Sequence, residues 1–425
     1  MRISTNMIFE LGSTKISDLQ SNLAKTQQQL STQRRVLTPA DDPVASANIL
    51  GITQTMSIND QLATNRQNAK NLLSQQESVL QSVTTLLQDV KTLTVNAGNG
   101  AMDDSQRQYL TAELKGRIDE LLGLANSRDG AGNFMFGGFQ IASQPFSETP
   151  TGAQYSGDQG KRMLQIGPSR HIALNDSGNS VFESNRTGNG DFVTAAASTN
   201  TGSGIVGTGA IVNSTAVTGH SYSVDFTVIP GAITTTAYIV RDTTAGTYWD
   251  GAAWQPGAPP AMPAPPAPSA PYVPYVSGQA ITVDGLQLDI KGDPANGDKF
   301  SVTPSTNQSI FTTLKNLVAT LGASGAGATG QAKLTNGLNA ANNNIDNALD
   351  NLLEVRASVG TRLKEIDTLD STGDDLNVQY TEALHQMQDI DLAEVISNFT
   401  QQQQALEAAQ KSFLQISHLS LFNYI

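Results

Sequence analysis

Apolar residues return at seven-residue spacing at both ends of this 425-residue chain, and a stripe of that kind needs a partner. Ile16, Leu19, Leu23, Leu30 and Leu37 make the first stripe, with Thr26 and Gln33 filling the intervening positions. Leu392, Val395, Phe399, Leu406, Phe413 and Ile416 make the second. Each spacing predicts a coiled-coil or bundle helix. Isolated helices are marginal in water, and the best match for either stripe lies at the opposite end of the chain. The outer N-terminal helix, about 26 residues at 1.5 Å each, would reach roughly 40 Å.

Further helices are expected inside these two. Pro39 cannot continue a helix, so Thr38-Pro39-Ala40-Asp41-Asp42-Pro43 reads as a break, with Asp42 as N-cap and Pro43 as first helical residue of the next element. That element carries Ile49, Ile52, Met56, Leu72, Leu73, Val79, Leu80, Val83, Leu86, Leu87, Val90 and Leu93, a stripe broad enough to touch more than one neighbour. A third helix is predicted over about residues 105–126. On the return side Leu334, Leu338, Ala341, Ile345, Ala348, Leu352, Val355, Val359, Ile366 and Leu369 keep a near-strict heptad, and Gly373-Asp374-Asp375 is expected to break it. Both Asp pairs read as helix caps rather than catalytic carboxylates.

Between the helical ends the period falls to two. Tyr222, Val224, Phe226 and Val228 alternate with polar residues as in a half-buried strand. Residues 281–288 read as a hairpin turning at Asp284-Gly285. The Pro- and Ala-rich stretch 255–274 is expected to be an extended loop that cannot join a sheet. The fold class that follows is mainly α with a β-rich insert: an antiparallel long-helix bundle formed by both chain termini, plus a central all-β domain. Three domains are expected. Residues 1–42 with 376–425 form an outermost helical domain, 43–188 with 304–375 a helical bundle with a β-hairpin segment, and 189–303 a β-rich domain carrying the 255–274 loop.

Several function classes recede on composition. The net charge is −13, and Arg34-Arg35 is the one adjacent basic pair in the first hundred residues, so nucleic acid and anionic membranes are poor partners. Without cysteine there is no disulfide framework, thiolate nucleophile or Cys-based zinc site. No run approaches 18 apolar residues, so no membrane insertion is expected. The N-terminus lacks the apolar core of a secretory signal, so the chain is cytoplasmic or leaves by a route that uses no cleaved signal peptide. Residues 202–207 match G-x-G-x-x-G, but neither a strand before nor a helix after is predicted, and the stretch reads as a loop. His171, His220, His385 and His418 are isolated, and no catalytic, cofactor-binding or metal-ligating set is predicted. Asn175 and Asn185 sit in N-glycosylation patterns that arise by chance in such a chain. Gln401 to Gln404 read either as low complexity or as a polar face along a water-filled bore.

The layout resembles the flagellin family. The stretch Leu30-Ser31-Thr32-Gln33-Arg34-Arg35-Val36-Leu37-Thr38-Pro39-Ala40-Asp41-Asp42-Pro43 is similar to the segment joining that family's outermost helix to the next. Leu87 to Val95 resembles the helix read by innate immune receptors, with Asp89 where activating flagellins carry a basic residue. Val355 to Leu363 and Asp389 to Val395 resemble its C-terminal motifs. Met1-Arg2-Ile3-Ser4-Thr5, and Asn133-Phe134-Met135-Phe136-Gly137-Gly138-Phe139 followed by Gln144-Pro145-Phe146, favour a hook–filament junction member over filament flagellin. The resemblance covers about the first 185 and the last 125 residues; the centre matches only a generic β-rich insert. It implies a secreted structural protein, not an enzyme, that adapts hook to filament. Its partners would be further copies in a ring-like assembly, a neighbouring hook-associated protein, flagellin, and an export chaperone on the last helix. The other readings are filament flagellin and, from a different class, a secreted coiled-coil effector or adhesin with a β head.

Overall fold

The computed structural model describes residues 5–229, 234–260, 270–323, 325 and 327–418. Helices α1 (Thr5–Thr32), α2 (Pro43–Ala97) and α3 (Asp104–Ala125) open the chain, and α4 (Ile310–Gly322), α5 (Gly327–Gln388) and α6 (Leu392–His418) close it. Antiparallel strands fill the interval. The chain is thus helical at both ends around a central antiparallel β region. Residues 1–4 and 261–269, part of the opening motif and of the Pro-rich stretch, lie outside the described residues, as does the side chain of Ile416.

The chain divides into two compact units whose limits differ from the three segments read from the sequence. One comprises residues 1–67, 166–169 and 367–425; the other comprises 68–165 and 170–366.

In the first unit α1 ends sooner than its heptad suggests. Gln33 adopts the left-handed region at φ +55°, and the amides of Leu37 and Thr38 turn to Asp41 Oδ2 at 3.1 and 2.9 Å. Leu37 therefore belongs to the elbow and not to the α1 stripe. Asp42 Oδ1 accepts the Ala45 amide at 2.9 Å, which caps α2 ahead of Pro43. On the return side the expected break at Gly373-Asp374-Asp375 is corrected: α5 runs through all three residues. One helical glycine costs only about 1 kcal/mol, and here tertiary bonds offset it. Asn59 Nδ2 donates to the Gly373 carbonyl at 2.8 Å. The buried Arg66 pairs with Asp370 and donates to the Ile166 carbonyl at 3.2 Å. A Cβ on Gly373 would stand 2.6 Å from Arg66 Nη2, so glycine makes room for that guanidinium. The break falls instead at residues 389–391, where Asp391 Oδ1 accepts the Ala393 amide at 2.9 Å and starts α6.

The second unit holds the core. Leu80, Val83, Leu87 and Val90 of α2, Leu114 and Leu121 of α3, Leu314 and Leu317 of α4, and Leu338, Ile345 and Leu352 of α5 are all buried. The Phe-Met-Phe-Gly-Gly stretch supplies an aromatic cluster to this unit. Phe136 and Phe146 each meet Phe182 edge-to-face, at 5.2 and 5.4 Å between centroids, and Phe146 also touches Phe311.

Strands β1 (Phe192–Ala196), β2 (Tyr222–Ile229), β3 (Thr235–Asp242) and β6 (Lys299–Pro304) pair antiparallel in the spatial order β3-β2-β6-β1. Strands β4 (Ala280–Val283) and β5 (Leu286–Lys291) form the hairpin read from the sequence. Both turn residues take positive φ, +40° at Asp284 and +79° at Gly285, as the tight turn requires. Tyr222, Val224 and Phe226 face inward onto Ile281, Leu288 and Phe300. The alternation then slips, so Ile229 rather than Val228 is buried. The Pro-rich stretch is corrected at its ends. Residues Trp254–Pro256 pair with Thr247–Trp249, and Val273–Pro274 pairs with β3. Proline is compatible with such short marginal strands.

Candidate functional site: the apposed terminal helices

Helices α1 and α6 lie against each other within the first unit and run in opposite directions. Ile16, Leu19, Leu23 and Leu30 on α1, and Val395, Phe399, Leu406 and Phe413 on α6, are half-buried. Phe9 meets Phe413 at 4.6 Å between ring centroids. Gly12 lies beneath the same ring, since a Cβ there would be 2.8 Å from Phe413 Cδ2. Thr26, buried, places Oγ1 2.9 Å from Gln402 Oε1 across the seam and 3.0 Å from the Asn22 carbonyl on its own helix. Leu392 is outside this seam: as the first residue of α6 it is 47% exposed.

The elbow between α1 and α2 is tied to the end of α5. The Arg35 amide donates to the Gln388 carbonyl at 2.6 Å, and its guanidinium to the Met387 carbonyl at 3.1 Å. Lys25 Nζ sits 2.6 Å from Asp41 Oδ1. The Lys25 bond, with the amides of Thr38 and Leu37, holds the Asp41 carboxyl down at about 2. Arg35 in turn pairs with Asp42 at 3.3 Å. Pro39 and Asp41 thus shape a fixed elbow, whereas Asp374 and Asp375 are exposed residues in mid-helix.

Apolar surface is concentrated here. Of seventeen exposed large apolar side chains among the described residues, ten belong to this smaller unit, including Phe9, Leu11, Val44, Leu50, Ile58, Val378 and Ile396. Scattered apolar residues are ordinary on a protein surface, but here more than half of the large exposed ones among the described residues fall in the smaller unit.

The other motifs resolve into structure. In the glycine pattern at 202–207, the amides of Thr201 and Gly202 donate to the buried carboxylate of Asp298 at 2.8 and 3.0 Å. Ile205–Val206 then continues as a strand on β5, so those amides are committed within the fold. His220 pairs with Asp242 at 2.6 Å and His385 with Asp389 at 2.7 Å. Among the described residues no group of His, Cys, Asp or Glu could hold a metal ion. Asn175 and Asn185 are buried, and their side-chain nitrogens donate to backbone carbonyls. Neither amide is open to glycosylation in the folded chain.

One arrangement escaped the sequence reading. Asn336, Asn347 and Asn351 on α5 donate to the carbonyls of Gly204, Arg186, Gly188, Ser180 and Val181 at 2.9–3.1 Å. Asn344 accepts the Gly188 amide at 2.9 Å. The signal was present as asparagines at helical spacing beside the apolar heptad, on a face that a polar-equals-exposed rule assigns to solvent.

The profile of the bacterial flagellin N-terminal helical region matches residues 3–140. Flagellar hook-associated protein 3 of Salmonella typhimurium is 26% identical over 422 residues, covering 99% of both chains. The similarity therefore extends through the central region. The crystal structure of the flagellar junction protein FlgL from Legionella pneumophila superposes with a TM-score of 0.69 at 28% identity, covering 81% of this chain and all of that one. Flagellin of Escherichia coli O127:H6 is 28% identical, but over only 28% of this chain. The chain's homologues are thus hook-associated protein 3, and flagellin is a more distant relative.

Proposed function

We propose that this chain is a structural subunit of the bacterial flagellum that forms the hook–filament junction and adapts the hook to the flagellin filament. The observation that carries this is the end-to-end match to hook-associated protein 3, against a match to flagellin confined to about a quarter of the chain. The work is mechanical. Residues 1–42 with 376–425 act as the assembly segment, an antiparallel bundle of both termini whose exposed apolar side chains pack on neighbouring copies in a ring and on the adjoining hook-associated protein and flagellin. A second unit that completes its own core supports this: folding does not depend on the apolar side chains that the terminal helices leave exposed. The chain reaches its place by export without a cleaved signal peptide, with a chaperone covering α6 beforehand, because a bare apolar face invites aggregation.

The test is where the protein sits. A tag inserted beyond Val212, an exposed residue of the β region, should decorate a single band between hook and filament in electron micrographs. Cells lacking the protein should make hooks without filaments and release flagellin. Decoration along the whole filament, with self-polymerisation of the purified chain, would establish filament flagellin instead.

A further inference from the structure

An asparagine followed by glycine is unusually open to attack by its own backbone, because no Cβ on the second residue shields the next amide nitrogen. The chain has four such pairs, Asn99-Gly100, Asn189-Gly190, Asn296-Gly297 and Asn336-Gly337. Sequence alone ranks them equally. The fold separates one from the other three, and we propose that Asn99 is a site of spontaneous deamidation in the folded chain.

Three pairs are held at both reacting groups. The Gly190 amide donates to the Thr187 carbonyl at 3.2 Å, and Asn189 Oδ1 accepts the amides of Asp191 and Phe192 at 3.1 and 2.8 Å. The Gly297 amide donates to the Phe226 carbonyl at 3.0 Å, and Asn296 Oδ1 accepts the Val228 amide at 3.1 Å. Asn336 bridges the Val206 amide and the Gly204 carbonyl, both at 3.0 Å. Gly337 sits inside α5, where a Cβ would stand 2.3 Å from Thr320 Cγ2, so its surroundings are closed.

Asn99 and Gly100 lie in the turn between α2 and α3, and both are exposed. Nothing stands within 4 Å of where a Gly100 Cβ would be, and the Gly100 amide donates to no group among the described residues. The nucleophile is therefore free. Asn99 Oδ1 accepts the Ala101 amide at 3.0 Å, a bond local to the turn that ties the side chain to no other element.

In the reaction the Gly100 nitrogen attacks Asn99 Cγ and the Cγ–Nδ2 bond breaks. The amide proton passes by way of solvent to the departing ammonia. One water then opens the cyclic imide, at one carbonyl to give aspartate and at the other to give isoaspartate. Water is the sole co-reactant. Either product adds a negative charge close to the start of α3, where the helix dipole accepts it. Isoaspartate also lengthens the main chain of the turn, at the expense of the bond from the Met102 amide to the Asn99 carbonyl. None of this depends on the junction reading.

The test is a time course on the full chain in mildly alkaline buffer. Trypsin releases Asn99 in the peptide from Thr92 to Arg107. Fragment masses distinguish Asn99 from Asn96, and isoaspartate separates from aspartate by chromatography. Asn99 should convert about tenfold or more faster than Asn189, Asn296 and Asn336, each of which must first give up its bonds. In urea all four pairs are released, and their rates should converge. Gly100→Ala should slow conversion in both states. Equal rates at the four pairs in the folded chain would overturn the proposal. So would an Asn99 that converts in urea and stays intact in the folded protein. A lead for Asn99 as wide in urea as in the folded chain would overturn it too, since local sequence and not the fold would then set the ranking.

Discussion

The two units solve the same problem, apolar stripes on long helices, in opposite ways. All twelve of the largest fully buried side chains among the described residues, from Tyr222 and Phe136 to Leu121, lie in the unit 68–165 with 170–366. The unit built on the termini has a half-buried seam, a few buried residues such as Leu62 and Arg66, and more than its share of exposed apolar side chains. The first kind of unit completes its burial within one chain. The second leaves burial unfinished, which is the condition expected of a surface completed by other molecules. On the proposed function, stability and assembly should therefore be separable in this protein, and experiments can pull them apart.

The largest separation should come from truncation. Residues 68–366 alone should unfold cooperatively, with a midpoint close to that of the full chain, and should show no assembly at all. Limited proteolysis of dilute full-length protein should cut α1 and α6 first and leave that core. Equal resistance of both units in the dilute monomer would erase the distinction.

Single side chains should follow the same division. Phe146 is fully buried between Phe182 and Phe311. Phe146→Ala should cost about 3–5 kcal/mol, read as a lowered midpoint of urea unfolding followed by tryptophan fluorescence. Both tryptophans, Trp249 and Trp254, lie in this unit and report on nothing else. Phe399→Ala with Phe413→Ala should leave that midpoint unchanged. Each ring should instead remove about 2–4 kcal/mol from an interface it anchors, seen as weaker chaperone binding by calorimetry and lost motility. Normal motility with unchanged affinity would make this face ordinary core.

What the sequence disclosed differs between the units for a physical reason. The heptads placed α1, α2, α5 and α6 because a 3.6-residue period is a local property, and Asp284-Gly285 placed its hairpin because only certain residues accept positive φ. Gly373 misled because local propensity favours a break there, while Arg66 and Asn59, more than three hundred positions away, hold the helix intact. The α5 asparagines were silent for a related reason. Their partners are backbone carbonyls, which carry no sequence signature. Of the seam residues, Thr26 was visible as a gap in its stripe and Gln402 only as one of the run Gln401 to Gln404, and their meeting became evident from the alignment of the helices.

The smallest expected effect concerns pH, and it should reach the two units from opposite directions. The Asp41 carboxyl, bound by Lys25 and the elbow amides, titrates at about 2 instead of 3.8. A group whose folded pKa is lowered stabilises above its unfolded value and loses that contribution as pH falls through the folded one. The elbow at residues 33–42 should therefore loosen between pH 4 and 2. Tyr155 behaves in the reverse sense. Burial pushes its phenol up to about 12, while its hydroxyl lies 2.9 Å from the Phe136 carbonyl and 2.7 Å from that of Asp158. Its contribution is complete below pH 10 and is lost between 10 and 12. Pepsin cleavage in the elbow should accelerate from pH 4 to 2 in the parent. In Asp41→Asn it should be faster already at pH 4 and rise less, the two curves meeting near pH 2. Tyr155→Phe should leave elbow cleavage untouched and flatten the alkaline change in tryptophan fluorescence. Parallel pepsin profiles for the parent and Asp41→Asn would mean that another group governs the elbow in acid.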